Sequence, residues 1–398
     1  AGVARARLRA ALVGGEVALA LVLLIGAGLL VRSWFELVSN PLGFEPRDRV
    51  AIQLFIWDRN PTEEQRLQRT EQLLAAFEAT PGVEDAAMVT ALPFHPHAIT
   101  IEYPLAIQGR PIPREQERDV FVTAATPDYF RIMGIPLARG RMFDETDRMG
   151  TPYVAVVNES FVRQYFPDED AIGQVALLRT RGGEQLPHRI IGVVGDVRPV
   201  AYDSEPRPEL WAPHAQWGTG SLTFVARVRG DAGRMVGVLR EKVWQVDPGQ
   251  TVYHAASIET LVADTLAARR FSLLLLGIFS LVALALAAIG LYGLISYATQ
   301  QRAGEIGVRM ALGAERGQIV RMIVSQGLRL ALPGVVIGII AASLLVRLLE
   351  GMLYEVEPTD PLIFTQLALL VLATAALASW LPARRATSSG PLHALREE

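Results

Sequence analysis

The sequence predicts an α-helical membrane protein with four transmembrane helices and one large water-exposed α+β domain inserted between the first and second of them. Three observations predict this. Long uncharged apolar runs lie at the two ends of the 398-residue chain. A charged, proline-rich stretch of more than two hundred residues separates them. That stretch orders its strands and helices as two β-α-β halves with a β-rich insertion.

A spanning helix needs about 20 apolar residues to cross the hydrocarbon core. Four segments qualify: 10–32, 271–300, 330–348 and 361–383. Only Glu16 brings a carboxylate into the first run. The second run has no charge and is longer than the bilayer is thick. The third is short and is extended by a helical lead-in. No small-residue cleavage site follows the first run, which reads as a retained anchor. The chain begins at Ala1 rather than Met, as expected of a piece of a longer protein.

Charge sets the expected orientation. Arg5, Arg7 and Arg9 precede the first span. Segment 301–329 has five arginines against Glu305 and Glu315, and tail 384–398 carries Arg384, Arg385 and Arg396. Residues 33–268 hold 23 basic and 32 acidic side chains, a net of −9, and loop 347–361 has one Arg against four acids. Basic loops stay in the cytoplasm. Both termini are therefore expected inside and the large domain outside. Arg32, Arg269 and Arg270 break the pattern; snorkelling to head groups or pairing with acids of the domain would accommodate them.

In residues 33–268, Val50–Ile56 suits a strand. Pro61-Thr62-Glu63-Glu64 opens a helix that Pro81-Gly82 stops, with Thr62 as N-cap. Val83–Leu92 follows as a strand. The order recurs as Leu222–Val228, Asp231–Val246 and Thr251–Ala255. Between the halves lie turns and short strands, including Val154–Asn158, a helix start at Asn158-Glu159-Ser160, and Ile190–Val197. Helices on one face of a sheet are the physical expectation.

No catalytic, metal or cofactor site is expected, and no nucleic-acid partner. With no cysteine, disulfides and thiolate chemistry are excluded. There is no zinc-protease helix, no nucleophile elbow and no phosphate-binding Gly-rich loop. His95-Pro96-His97 reads as a solvated loop with no third ligand nearby. Gly192-Val193-Val194-Gly195-Asp196 reads as a strand and its turn. Trp34-Phe35 suits a membrane-interface anchor. Only Glu16 could serve a membrane-embedded enzyme, and its place near the cytoplasmic end makes an interfacial or helix-pairing role the simpler reading. The stretch after the second span is more informative. Ile306 and Met310 fall on one helical face with Arg309 beside them, Gly313 and Gly317 interrupt the helix, and Ile319, Met322, Ile323 and Leu330 lead into the third span. Periodicity alone leaves two readings open: a helix lying passively in the interface, or one that fills a groove on a soluble partner. Gly334 and Gly338 form a small-x-x-x-small pair in the third span, suited to close helix packing and, as an expectation, to association with a second permease half.

The stretch Arg302–Ala314 resembles the cytoplasmic coupling segment of MacB/FtsX-like permeases, a family of type VII ABC transporters. The resemblance extends to Leu8-Arg9 and Glu16-Val17-Ala18-Leu19 at the first span. It continues through Pro127, Tyr129-Phe130, Met133-Gly134-Ile135, Gly140-Arg141 and Val157-Asn158-Glu159 in the domain. It ends with Pro358-Thr359-Asp360-Pro361, Leu381-Pro382-Ala383-Arg384-Arg385-Ala386 and Pro391, Ala394-Leu395-Arg396. The pattern is most similar to the second half of the duplicated acidobacterial-type permeases. Gly304 departs from it, since a larger polar residue is common there.

The resemblance implies a bacterial inner-membrane permease subunit with a periplasmic MacB-like core domain, transmitting ATPase-driven motion to that domain for export or efflux. The alternative it leaves is a non-transporting regulator of a periplasmic enzyme such as a cell-wall hydrolase. The implied partners are a separate ABC ATPase subunit, a second permease half, a periplasmic adaptor and membrane lipid. The coupling residues it implies are Glu305, Ile306, Gly307, Arg309, Met310, Leu312 and Gly313. In this expectation Ile306 and Met310 enter an apolar groove on the ATPase, Arg309 pairs at its rim, and Glu305 favours the helix start.

Overall fold

The structure, a computed structural model, describes residues 2–55, 62–110, 118–180, 182–217, 221–347, 357 and 359–388. The expectations that fall on Ile56, Pro61, most of loop 347–361, Pro358 and the tail from Pro391 lie outside the described residues. In chain order the elements are α1 (Gly2–Ser39), β1 (Arg49–Phe55), α2 (Glu63–Glu78), β2 (Val83–Val89), β3 (Ile101–Ile107), β4 (Arg118–Ala125), α3 (Tyr129–Met133), β5 (Leu137–Gly140) and β6 (Val154–Asn158). There follow α4 (Glu159–Tyr165), β7 (Val175–Arg179), β8 (Gln185–Val194), β9 (Glu209–Pro213), β10 (Ser221–Val228), α5 (Ala232–Val246), β11 (Val252–Ser257), α6 (Ile258–Gln301), α7 (Ala303–Ala311), α8 (Arg316–Leu345) and α9 (Pro361–Ser388). They form two compact units, Asn40–Ala267 and the flanking membrane helices.

In the unit Asn40–Ala267 the two β-α-β halves are interleaved. The sheet order is β11-β1-β10-β2, so each half contributes one strand that inserts between those of the other. β1 runs antiparallel to both β10 and β11, and β10 runs antiparallel to β2. This is the split β-α-β arrangement, in which both crossovers place a helix on the same face. Local chemistry fixes the helix starts. Thr62 and Gln65 form a reciprocal capping box on α2, and the Asp231 carboxylate accepts from the Gly233 and Arg234 amides at the head of α5. The α2 and α5 face buries Ile52, Leu54, Phe77, Phe224, Leu239 and Val243, with the Phe77 and Phe224 rings edge to face at 5.7 Å.

The opposite sheet face buries Val89, Val225, Phe130, Trp211, Ile258 and Leu261. The insertion, β3 to β9, continues the sheet through the pairing of Val89 with Ala125. It has a third core around Val120, Phe161, Leu178 and Ile190. The expected strand Ile190–Val197 begins earlier and ends at Val194; the Gly195 amide donates to the Pro136 carbonyl, and Asp196 accepts from the Ser160 amide at the start of α4.

The loop His95–His97 has a third histidine beside it, contrary to the sequence expectation. His254 on β11 lies opposite Gln53 on β1, and its ring stands edge to face on His95 with centroids 4.9 Å apart. The His97 ring is 6.0 Å from that of His254, and the Gln53 amide donates to the His97 carbonyl. The three rings meet edge to face. Among the described residues no group of three or more ligating side chains is arranged for a metal.

Burial pushes the imidazoles of His95, His188 and His214 down to about 4, with His254 and His97 adding to the effect at His95. Each is neutral in the folded unit. Its contribution is full above pH 6.5 and is lost as pH falls from there toward 4. Glu209 acts in the opposite sense. Burial pushes its carboxyl up to about 7 against the opposing hydrogen bond from Thr123, so its contribution is full below about pH 4.5 and fades as pH rises through 7. Between pH 7 and pH 5 each histidine removes about 1–2 kcal/mol and Glu209 adds about as much. With three against one, the denaturant midpoint of this unit is expected to be lower at pH 5 than at pH 7, and Glu209→Gln to widen the gap. A higher midpoint at pH 5 would contradict this account.

In the membrane unit each apolar run is part of a longer helix. The spans of membrane character are Leu8–Ser39, Ile258–Gln301, Arg316–Leu345 and Pro361–Thr387. α8 takes in the lead-in to the third span without a break, so that helix starts at Arg316 rather than 330. One apolar core, including Leu21, Ile25, Leu29, Val335, Ala342 and Val371, joins α1, α8 and α9. Much of α6 is exposed, with Phe271, Ile278, Leu281 and Ile289 facing outward. Arg32 pairs with Asp360, in the loop before α9.

Gly334 and Gly338 face α1 of the same chain. A Cβ on Gly334 would stand 2.5 Å from the Gly14 carbonyl oxygen, and one on Gly338 would stand 3.0 Å from that of Ala18. The expectation that this pair joins two permease halves is corrected, because α1 already fills that face. Small residues let any two backbones approach, and the motif does not name the second helix.

Candidate coupling segment

α6 ends at Gln301, and α7 begins within one residue of it. The Ile306 amide donates to the Arg302 carbonyl, and Glu305 lies in the first turn, where a carboxylate favours the exposed amides. The far end is closed by a Schellman turn. Gly313, at φ +94°, donates to the Met310 carbonyl, and Ala314 donates to the Arg309 carbonyl. A side chain at Gly313 would be strained in this left-handed conformation. α8 starts two residues later with Glu315 as its N-cap. Residues 301–316 therefore form a short helix tied at both ends to membrane helices.

The faces of α7 are the reverse of the sequence expectation. Ile306 is only 4% exposed and joins the membrane-unit core with Ile295, Ile319 and Ile323; Met310 packs against the same core. Ile306 is therefore not available to a partner's groove, and Met310 is half-buried on the same inner side. The outward face is a stripe at i, i+3, i+4 and i+7: Glu305, Val308, Arg309 and Leu312. Val308 is 55% exposed and Leu312 is 83% exposed. The Glu305 carboxylate and Arg309 guanidinium pair at 2.7 Å across one turn, and Arg309 also reaches the Met322 sulfur at 3.2 Å. Such an exposed pair contributes about 0.3–0.5 kcal/mol. The resemblance does not point to Val308, although its place in the stripe with Leu312 is readable from the spacing. Gly307 lines the inner side with Ile306 and Met310, and Gly304 has open space around its Cβ position. Gly304→Ala is expected to stabilise α7 by about 0.5–1 kcal/mol, read as slower amide exchange at Val308 and Arg309.

Four helices long and apolar enough to cross a membrane, with an α+β unit between the first two, give the layout of a multi-pass membrane protein. Two family models match it: the MacB-like periplasmic core domain over residues 11–250 and the FtsX-like permease C-terminal region over 277–391. The chain belongs to the MacB/FtsX-like ABC permease family. Among curated relatives, the macrolide export ATP-binding/permease proteins MacB of Shigella sonnei and Escherichia coli K12 are each 25% identical over 285 residues. The match covers 68% of this chain and 42% of either relative, so the chain spans less than half their length. Among solved structures, the periplasmic region of MacB from Actinobacillus actinomycetemcomitans aligns at 16% identity and a TM-score of 0.38, covering 57% of this chain and 95% of that one. The extracellular domain of the transporter YknZ from Gram-positive bacteria aligns at 13% identity and a TM-score of 0.34, covering 51% and 96%.

Proposed function

We propose that this chain is the membrane subunit through which an ABC ATPase drives a periplasmic domain, with α7 as the docking element and export or efflux as the outcome. The observation that carries the reading is the outward stripe Glu305–Val308–Arg309–Leu312 on a helix fixed at both ends to spans. Two exposed apolar side chains at i and i+4 suit insertion into a groove, and the flanking ion pair suits its rim. Because the inner face of α7 is part of the membrane-unit core, movement of a docked partner would be transmitted to α6 and α8. The ATPase would lie outside these 398 residues, which hold no phosphate-binding Gly-rich loop. The curated relatives named as macrolide exporters combine ATP-binding and permease functions in one protein, which supports such a partnership without fixing the substrate.

The orientation that this requires puts both termini and α7 in the cytoplasm and Asn40–Ala267 in the periplasm, as the arginine bias of the loops supports. The absence of native cysteine permits a direct test. A membrane-impermeant maleimide is expected to label Val200→Cys, at a 61% exposed position, in spheroplasts. Leu312→Cys is expected to react only after lysis. Labelling of both in intact spheroplasts would overturn the orientation.

A further inference from the structure

A cavity of about 480 Å³ lies inside the membrane unit between the ends of α6 and α9 and the inner face of α7. Tyr292, Ser296 and Gln300 line it from α6, Ile306 and Met310 from α7, and Arg385 from α9. Its lining is two-sided. The α7 wall is apolar, while Ser296 and Gln300 line it from α6 together with Arg385, whose guanidinium donates to the Tyr292 hydroxyl at 2.7 Å. Its depth is that of a membrane boundary: Ser296 is little more than a turn from the end of α6, and Arg385 lies in the last turn of α9. Two further pairs of side chains mark the same level, where Arg384 stacks on Trp380 and Arg9 on Tyr297. Such aromatic and arginine belts sit among lipid head groups. Next to the cavity, α9 presents exposed Leu377 and Leu381, an apolar track running toward the bilayer interior.

We propose that this cavity binds the phosphate head group of an anionic phospholipid of the cytoplasmic leaflet, with its acyl chains along the exposed face of α9. A cation near a membrane surface recruits anionic lipid, and an arginine fork suits a phosphate. The apolar wall and the apolar track favour a lipid over a free anion, which would gain nothing from either. Because Ile306 and Met310 form that wall, the bound lipid holds α7 in its seat under the spans. The proposal rests on the orientation above for the leaflet, and not on ATPase docking.

The test is native mass spectrometry of the full chain in detergent with added phosphatidylglycerol or phosphatidylcholine. Phosphatidylglycerol is expected to be retained in preference to phosphatidylcholine. Arg385→Gln is expected to lower that retention about fivefold, while Arg384→Gln, whose side chain lies on Trp380, leaves it unchanged. Ser296→Leu, which fills the cavity without removing a charge, is expected to lower retention as well. The lipid-free thermal midpoint of each variant is recorded, so that misfolding is separated from lost binding. Equal loss in Arg384→Gln and Arg385→Gln, or retention unaffected by Ser296→Leu, would overturn the site. Displacement of phosphatidylglycerol by millimolar inorganic phosphate would overturn the lipid as its occupant. Leu312→Asp is expected to leave retention intact, so failure of the docking reading and failure of this one are separable.

Discussion

Replacing Val308 and Leu312 together with Asp is expected to abolish co-purification of the ATPase and its stimulated activity while leaving the permease folded. Both side chains are exposed, so the free protein loses little packing. In the docked complex each would bury an unpaired carboxylate, at a cost of several kcal/mol. Arg309→Ala removes an exposed ion pair and is expected to weaken docking by about 1 kcal/mol or less. Ile306→Asp and Met310→Asp act differently. Ile306 is part of the spans' own core, so its charge would destabilise the membrane unit before any partner is met. The distinguishing measurement is the thermal midpoint of the isolated permease beside the pull-down. Val308→Asp/Leu312→Asp changes the pull-down alone, and Ile306→Asp changes both. An unaltered pull-down for the double variant would remove α7 from the account.

Gly334→Leu is expected to damage the membrane unit severely. Its Cβ alone would stand 2.5 Å from the Gly14 carbonyl oxygen and 2.9 Å from the Val17 side chain, so α8 cannot remain where it is against α1. Overpacking of this kind costs about 1–3 kcal/mol where side chains yield, and a backbone carbonyl yields less. Gly338→Leu meets Ala18 and Leu21 at 3.0–3.1 Å and is expected to be milder. The readout is the thermal midpoint and monodispersity of the single chain in detergent. A Gly334→Leu protein with unchanged midpoint but impaired pairing of permease halves would restore the intermolecular reading.

The sequence resolved what is local and left open what is not. Thr62 announces its helix because a cap acts within three residues, and it makes the hydrogen bond expected of it; Asn158 and Asp231, read only as helix starts, cap α4 and α5 in the same way. The interleaving of β1 with β10 and β11 is invisible in the same way that strand partners always are: alternation says which face is buried, not which strand lies alongside. His254 stands beside His95 only because β11 pairs with β1. On α7 the limitation is different. A nine-residue helix with apolar residues at 306 and 310, and again at 308 and at its C-cap Leu312, has two apolar faces, and periodicity does not say which faces the spans. The position of the segment and its seven residues followed from the resemblance; the direction each side chain faces required the packing of α6 and α8 around it.

The most direct test is photo-crosslinking from α7 in the assembled complex, with benzoylphenylalanine placed in turn at Leu312, Val308 and Ile306 and the ATPase followed as the crosslinked partner. The account expects adducts to the ATPase from Leu312 and Val308, weakened when nucleotide drives the ATPase pair through its cycle, and none from Ile306. Adducts from Ile306 with none from Leu312 would show that the helix docks through its inner face, and would contradict it.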